Sequence, residues 1–179
     1  MNAIEGLKPE HLWFFFGEIS KIPRESKHEE RIREYVAAVA EGLGLEHVVD
    51  AAGNVVVYKP GTGSGDVIIL QSHLDMVCEQ NEGTGHDFRK DPIRLVRDHD
   101  WILASGTTLG ADNGIGVAAM LALMEDGTLV HPDLELLFTI DEETGLTGAN
   151  MLDTRLFRGR TIINLDSEED GTLIIGCAG

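Results

Sequence analysis

Short runs of mostly apolar residues constrain the fold of this chain more than any other feature of its sequence. Such runs are too short for core helices and are typical of strands that are buried on both faces. They lie at residues 67–70, 134–140, 161–165 and 172–175. Helices are predicted at residues 9–19, 27–41, 113–124 and 149–157, and hairpins at residues 47–58 and 93–103. This alternation predicts an α/β sandwich with a central sheet, which the hairpins make mixed.

The start of the second predicted helix carries a specific local pattern. Ser26 stands three residues before Glu29, which is the spacing of a capping box. We therefore predict that Ser26 caps the helix at residues 27–41. Glycines in the helix at residues 113–124 predict that this helix packs closely on the sheet.

Imidazole and carboxylate groups follow the predicted strands at the points where the strands end. In open α/β sheets, functional sites form at the carboxyl ends of the strands, so these side chains are expected to converge. One further carboxylate stands just before the glycine-rich helix. The six residues are His73, Asp75, Asp112, Glu142, Glu143 and Asp166.

Each of these motifs also has an ordinary structural explanation. A single His-x-Asp motif is usually a surface pair or a hydrogen-bonded histidine, Asp112 could cap the following helix, and acidic residues after a strand usually form a solvated turn. Four segments with the same placement favour a metal site instead. Five clustered carboxylates would repel one another without cations, and imidazole and carboxylate groups are good ligands for Zn²⁺.

The charge of the chain argues against two classes of partner. The formal net charge is −17, from 31 acidic and 14 basic residues. Nucleic acids and anionic membranes both require a basic surface, so neither is an expected partner. Cys78 and Cys177 lie far apart, which argues against a disulfide framework and predicts a cytoplasmic location.

At these motifs the sequence resembles a known family, the co-catalytic zinc peptidases. That family includes aminoacylases, succinyl-diaminopimelate desuccinylases, peptidase T and cytosolic dipeptidases, and the resemblance is greatest to the dipeptidases. The most specific motif is Gly-Thr-Thr-Leu-Gly-Ala-Asp-Asn-Gly at residues 106–114. The other matching segments are residues 22–30, 70–77, 79–88 and 164–171. The resemblance implies a three-layer sandwich with a mixed, mainly parallel central sheet.

The resemblance also implies a role for each candidate residue. His73 and Asp166 would bind one divalent metal ion, Glu143 would bind a second, and Asp112 would bridge the two. Asp75 would hydrogen-bond His73 from behind, and Glu142 would act as the general base. Zn²⁺ is the default metal, with Mn²⁺ or Co²⁺ as alternatives.

The implied activity is metal-dependent hydrolysis of dipeptides, including Xaa-His dipeptides. The family has a further histidine ligand and a lid domain after a segment like residues 176–179, and the lid contributes to a homodimer. We therefore expect residues 1–179 to form the N-terminal portion of a metallopeptidase catalytic domain, without the lid and the rest of that domain. Such a fragment is expected to bind metal weakly, at one site, and to have little or no activity.

Three other functions remain open from the sequence. The first is hydrolysis of N-acyl amino acids by a deacylase or aminoacylase of the same family. The second is a non-catalytic α/β binding module, against which Glu142 argues because a binding module needs no general base. The third, a serine or cysteine hydrolase, is disfavoured because no Gly-x-Ser-x-Gly motif occurs.

Overall fold

The computed structural model describes residues 3–167 and 171–176. The helices are α1 (Glu10–Ile19), α2 (Glu30–Gly42), α3 (Ala111–Glu125), α4 (Glu142–Gly145) and α5 (Thr147–Asn150), followed by a 3₁₀ turn at Thr154–Leu156. The strands are β1 (Glu46–Val49), β2 (Val55–Lys59), β3 (Ile68–His73), β4 (Leu95–Asp98), β5 (Trp101–Ala104), β6 (Leu134–Thr139) and β7 (Thr161–Asn164).

Within the described residues, five strands form the central sheet in the order β1-β2-β6-β3-β7. β3 pairs in parallel with both β6 and β7, whereas β2 is antiparallel to β1 and β6. Four strands therefore run in one direction and β2 alone runs in the other. This confirms the predicted α/β class with a mixed, mainly parallel sheet. β4 and β5 form a separate antiparallel hairpin, as predicted.

The main core lies between the sheet and the three long helices. α2 packs against β1 and β2, α3 packs against β3, and α1 packs against α3. The opposite face of the sheet carries a smaller cluster around Val56, Ile69 and Leu137, which is covered by side chains from residues 152–157. The third layer is therefore thin in the described part of the chain. None of the described helices is both long and apolar enough to cross a membrane.

The glycines of α3 allow close packing, as predicted. A Cβ atom at Gly116 would lie 3.1 Å from the Cβ of Ser72 in β3. A Cβ atom at Gly114 would lie 2.8 Å from Nη2 of Arg24 and 3.3 Å from the ring of Phe16. α3 therefore approaches β3 at one glycine, and Arg24 and α1 at another.

The predicted start of the second helix was wrong. The Ser26 hydroxyl donates a hydrogen bond to the Asp75 carboxylate over 2.7 Å and does not cap a helix. Glu29 accepts a hydrogen bond from the backbone N–H of Lys27, and α2 begins at Glu30. A long-range contact to a buried carboxylate therefore replaces the local capping interaction.

The single helix predicted at residues 149–157 was also wrong. α5 ends at Asn150, and the chain resumes as a 3₁₀ turn at Thr154–Leu156. The Asp153 side chain accepts a hydrogen bond from the backbone N–H of Arg155. Such a bond to a nearby backbone group competes with helix formation and accounts for the break.

The two C-terminal strand predictions were only partly correct. Residues 161–164 do form β7, but its residues are exposed because it lies at the edge of the sheet with β3 as its only neighbour in the described chain. Residues 172–175 form no strand, and Leu173, Ile174 and Ile175 are exposed. An apolar run forms a ladder only where another strand is available, and the described residues place none beside this run.

Gly148 in α5 offers a test of how closely α5 packs against Asn54 and Ile140. A Cβ atom there would lie 2.3 Å from Oδ1 of Asn54 and 2.6 Å from the carbonyl oxygen of Ile140. We expect Gly148→Ala to lower the free energy of unfolding by about 1–3 kcal/mol, because the backbone of Ile140 cannot move away without disturbing β6. Urea unfolding would measure the change. Gly42→Ala is the matched control, since nothing lies within 4 Å of that position, and equal stabilities of the two variants would contradict the close packing.

Candidate metal centre

His73 lies at the carboxyl end of β3 with its side chain buried (1% exposed). Its Nδ1 is 3.1 Å from the backbone oxygen of Asp75 and 3.3 Å from a carboxylate oxygen of the same residue. Its Nε2 is 3.0 Å from Oδ1 of Asp112. One ring nitrogen thus faces Asp75, and the other faces the acidic group in front of the sheet.

Asp75 is fully buried and surrounded by donors. Its carboxylate accepts hydrogen bonds from the Ser26 hydroxyl, from the backbone N–H of Glu142 at 3.1 Å and from the backbone N–H of Glu143 at 3.2 Å. Together with the contact to His73, these bonds pair both carboxylate oxygens with protein groups. Asp75 is therefore placed to orient His73 and the two glutamates.

Asp112 lies within α3, close to its start, but does not cap that helix. The hydrogen bond described for its side chain joins Oδ1 to Nε2 of His73 and not to a backbone N–H of α3, and Asp112 has non-helical backbone angles (φ −80°, ψ 115°). The peptide bond between Asp112 and Asn113 is cis. The side chain of Asp112 is 65% exposed and turns toward His73. The capping explanation considered from the sequence is thus wrong in this structure.

The remaining carboxylates approach the same ring nitrogen from two other segments. Asp166, two residues after β7, has Oδ1 at 3.7 Å from Nε2 of His73. Glu142, the first residue of α4, has Oε2 at 4.0 Å. Ligand atoms of His73, Asp112 and Glu143 all lie within 4.8 Å of one another, which makes these three a group able to hold a metal ion. All six residues predicted from the sequence therefore lie at one edge of the sheet.

The pKa values of His73 and Asp75 show how closely the two groups interact. Burial by itself lowers the pKa of His73, but Asp75, and after it Asp166 and Asp112, raise it to about 9. Burial by itself raises the pKa of Asp75, but hydrogen bonds from His73, Ser26 and the backbone lower it to about 2. The Asp75 carboxylate is thus stabilised in its charged form.

The carboxylates in front of His73 interact unfavourably with one another. Burial, followed by the charge of Asp112, raises the pKa of Glu143 above its ordinary value. Burial also raises the pKa of Asp166, with a further increase from Asp112 and a partial offset from His73. A divalent cation would offset this repulsion, and the donors are an imidazole nitrogen and carboxylate oxygens. The residues present therefore fit a bound divalent metal.

Sequence reasoning missed a buried arginine behind the site. Arg24 donates hydrogen bonds from Nη1 to the carbonyl oxygens of Leu74 and Asp75, both at 3.0 Å, and from Nη2 to that of Gly110. Burial lowers its pKa to about 10. Arg24 thus joins the segment that carries His73 to the segment that carries Asp112. The signal in the sequence was its place in residues 22–30, one of the segments that match the family.

Asp75→Asn tests the orienting role of the buried carboxylate. We expect the affinity for Zn²⁺ to fall by about 10–100-fold, as is usual when a partner behind a metal ligand is removed. The reason is that the N–H groups of Glu142 and Glu143 donate to different oxygens of Asp75, and the NH₂ end of an asparagine cannot accept one of the two bonds. Competition with a chromophoric chelator would measure the affinity. Asp100→Asn, at an exposed residue, is the control, and unchanged affinity in a folded Asp75→Asn protein would contradict the role.

The sheet and the side chains at its carboxyl edge define an α/β domain with a candidate metal site. The chain belongs to peptidase family M20/M25/M40, whose sequence model matches residues 69–176. This membership agrees with the resemblance seen in the motifs.

Individual relatives support the same family. The chain is 44% identical to the cytosol non-specific dipeptidase of Escherichia coli (strain K12), over 100% of the chain and 38% of that protein. It matches the crystal structure of aminoacylhistidine dipeptidase from Vibrio alginolyticus with a TM-score of 0.91 and 44% identity, over 94% of the chain and 35% of that structure. Aminopeptidase PepT from Bacillus cereus matches with a TM-score of 0.76 and 28% identity, over 89% and 44% of the respective chains. The chain thus spans less than half the length of each of these relatives.

Proposed function

We propose that this chain carries the first part of the active site of a two-metal dipeptidase. One observation supports this most strongly: Nε2 of a buried histidine faces Asp112, Asp166 and Glu142 within 4.0 Å, at the carboxyl edge of a largely parallel sheet. Membership of peptidase family M20/M25/M40 supports peptide hydrolysis as the reaction at this site.

We assign the metal ligands as the family resemblance implies. His73 and Asp166 would hold one ion, Glu143 would hold the other, and Asp112 would bridge them. The mixture of imidazole and carboxylate ligands suits Zn²⁺, and Mn²⁺ and Co²⁺ are alternatives that the same donors accept. Bound divalent ions would make a water molecule more acidic and polarise the peptide carbonyl.

Glu142 is assigned as the general base and Asp75 as its positioning partner. Glu142 is partly exposed at the site (31% of its side chain), so a water molecule can reach its carboxylate. Its backbone N–H is held by Asp75, which also contacts His73. In this assignment Glu142 takes a proton from water and later gives one to the leaving amine.

We propose dipeptides, including Xaa-His dipeptides, as the substrates. The proposal rests on two relatives that are each 44% identical to this chain and are named as a non-specific dipeptidase and an aminoacylhistidine dipeptidase. The main alternative is an N-acyl amino acid deacylase, because a probable succinyl-diaminopimelate desuccinylase also matches, at 28% identity. A cytoplasmic location is proposed because the first of these relatives is named as cytosolic.

We further propose that residues 1–179 form the N-terminal portion of the catalytic domain and that the full-length protein is a homodimer. The open edge of the sheet supports the first proposal, since Ile162 and Ile163 of β7 are 56% and 42% exposed. An apolar edge strand of this kind is normally paired or covered. Relatives more than twice as long as this chain have further sequence that is able to cover it.

Hydrolysis by the full-length protein would test the proposed function. We expect cleavage of β-alanyl-histidine and of an alanyl dipeptide when Zn²⁺ is present, and loss of cleavage when a chelator is added. N-acetyl amino acids are the comparison substrates. Cleavage of N-acetyl amino acids alone would replace the dipeptidase assignment with a deacylase, and cleavage that persists in chelator would contradict metal dependence.

A further inference from the structure

Glu29 is a buried carboxylate that lies outside the candidate metal group. It precedes α2 and is 3% exposed. Its Oε1 accepts hydrogen bonds from the backbone N–H of Lys27 at 2.8 Å and from the backbone N–H of Asp141 at 3.0 Å. The second bond crosses 112 positions of sequence and reaches the residue just before Glu142.

Asp141 has a backbone conformation that needs support from its surroundings. Its φ of 47° and ψ of 50° lie in the left-handed region, which residues other than glycine seldom adopt. Its own carboxylate accepts hydrogen bonds from the hydroxyls of Thr144 and Thr147. The bond from its N–H to Glu29 holds the backbone on the other side. The turn from β6 into α4 is thus fixed by contacts on both sides.

The two following N–H groups are held by the other buried carboxylate. Asp75 accepts hydrogen bonds from the N–H groups of Glu142 and Glu143. Three successive N–H groups, at positions 141–143, are therefore bound by two buried acids from different parts of the chain. Glu142 and Glu143 follow Asp141 directly and begin α4, which has only four residues. A movement of the Asp141 backbone would therefore also move the side chains of both glutamates.

We propose that Glu29 is a positioning residue for Glu142 and Glu143, and that it acts through the backbone N–H of Asp141. The proposal rests on the proposed function, in which Glu142 is the base and Glu143 a metal ligand. Glu29 needs only an acceptor oxygen for this purpose, so its charge is not required. Both N–H groups donate to Oε1, which the amide oxygen of a glutamine can replace.

Two substitutions separate the acceptor from the volume of the side chain. Glu29→Gln keeps an oxygen that can accept from Asp141, whereas Glu29→Met fills similar space without a comparable acceptor. We expect Glu29→Met to lower kcat of the full-length protein by about 10–100-fold, with KM changed by less than about threefold. The same variant of the 179-residue chain should bind Zn²⁺ about tenfold more weakly. Glu29→Gln should restore both quantities to within about threefold of the starting values.

Because kcat and Zn²⁺ affinity are measured separately, the role of Glu29 can be tested independently of the proposed peptidase activity. If the unsubstituted protein shows no peptidase activity, the proposed function fails, and the Zn²⁺ affinities of the variants still decide the role of Glu29. If Glu29→Met does not fold, as judged by thermal unfolding, Glu29→Asp takes its place, because its carboxylate is one methylene shorter. Glu30→Gln, at the exposed neighbouring residue, is the control. Wild-type kcat and Zn²⁺ affinity in Glu29→Met or its Asp substitute would overturn the proposal, as would equal losses in Glu29→Gln and Glu29→Met.

Discussion

Glu142→Gln is expected to lower kcat for dipeptide hydrolysis by about 10²–10⁴-fold in the full-length protein, which is the usual contribution of a general base. The glutamine has the same shape but cannot accept a proton from water. Its backbone N–H still reaches Asp75, so the segment around it should stay in place. Because Glu142 is not assigned as a ligand, Zn²⁺ affinity is expected to change by less than about threefold. Steady-state kinetics with β-alanyl-histidine and a chelator competition titration would measure the two quantities.

Glu82→Gln is a matched control for this experiment. Glu82 is an exposed acid in the loop after β3. Its substitution should leave kcat unchanged. Wild-type kcat in Glu142→Gln would remove Glu142 as the base. An equal loss of kcat and of Zn²⁺ affinity would instead indicate that Glu142 is a metal ligand.

Asp112→Asn is expected to have the largest effect on metal binding. Oδ1 of Asp112 is 3.0 Å from Nε2 of His73, and Asp112 belongs with His73 and Glu143 to the group able to hold a metal ion. If Asp112 bridges the two proposed metal ions, the binding of each ion depends on its carboxylate. We expect a loss of affinity greater than about 100-fold, which exceeds the loss for a partner behind a ligand. Peptidase activity should become undetectable. Zn²⁺ at 100 times its dissociation constant stabilises a folded protein by about 2.7 kcal/mol, and this stabilisation should disappear in the variant.

The metal-free form of the same variant gives an independent check. The charge of Asp112 raises the pKa values of Glu143 and Asp166, which means that the three carboxylates repel one another without a cation. Removing one charge relieves this repulsion but also weakens the contact of Asp112 with Nε2 of His73, so the stability of the metal-free protein should stay within about 1 kcal/mol of the wild type. Thermal unfolding with and without Zn²⁺ would measure both effects. A variant that is destabilised without metal, yet is still stabilised by Zn²⁺, would contradict the bridging role.

The convergence of the site could be predicted because it depends on the sheet. Apolar runs identified β3 and β6, and parallel strands end at a common edge. The register then brings His73 opposite Thr139 and Gln71 opposite Asn164, so the residues that follow β6 and β7 lie near His73. The most informative sequence signal was thus the position of polar residues relative to strands.

The residues behind the site could not be predicted in this way. Ser26 fits a local capping pattern, but its hydroxyl bonds to a carboxylate 49 positions away. Arg24 and Glu29 have charged side chains that sequence patterns assign to the surface, and both are buried against backbone groups from distant segments. Burial of such groups is decided by tertiary contacts, which local periodicity does not encode.

The C-terminal part of the chain shows a related limit. Residues 161–164 and 172–175 have similar apolar patterns, yet only the first forms a strand. The difference is that β7 pairs with β3, through Ile68 opposite Thr161 at the start of the ladder. The hydrophobic pattern predicts which segments can form strands. A segment then forms a strand only where a neighbouring strand can pair with it.

The most direct test of the central claim is a crystal of the full-length protein soaked in Zn²⁺, with anomalous diffraction measured on both sides of the zinc absorption edge. The account predicts two anomalous peaks about 3.5–4 Å apart. One should lie beside His73 and Asp166, the other beside Glu143, with Asp112 between them. A single peak elsewhere, or no peak at these side chains in Zn²⁺-saturated crystals, would contradict a two-metal centre at this edge of the sheet.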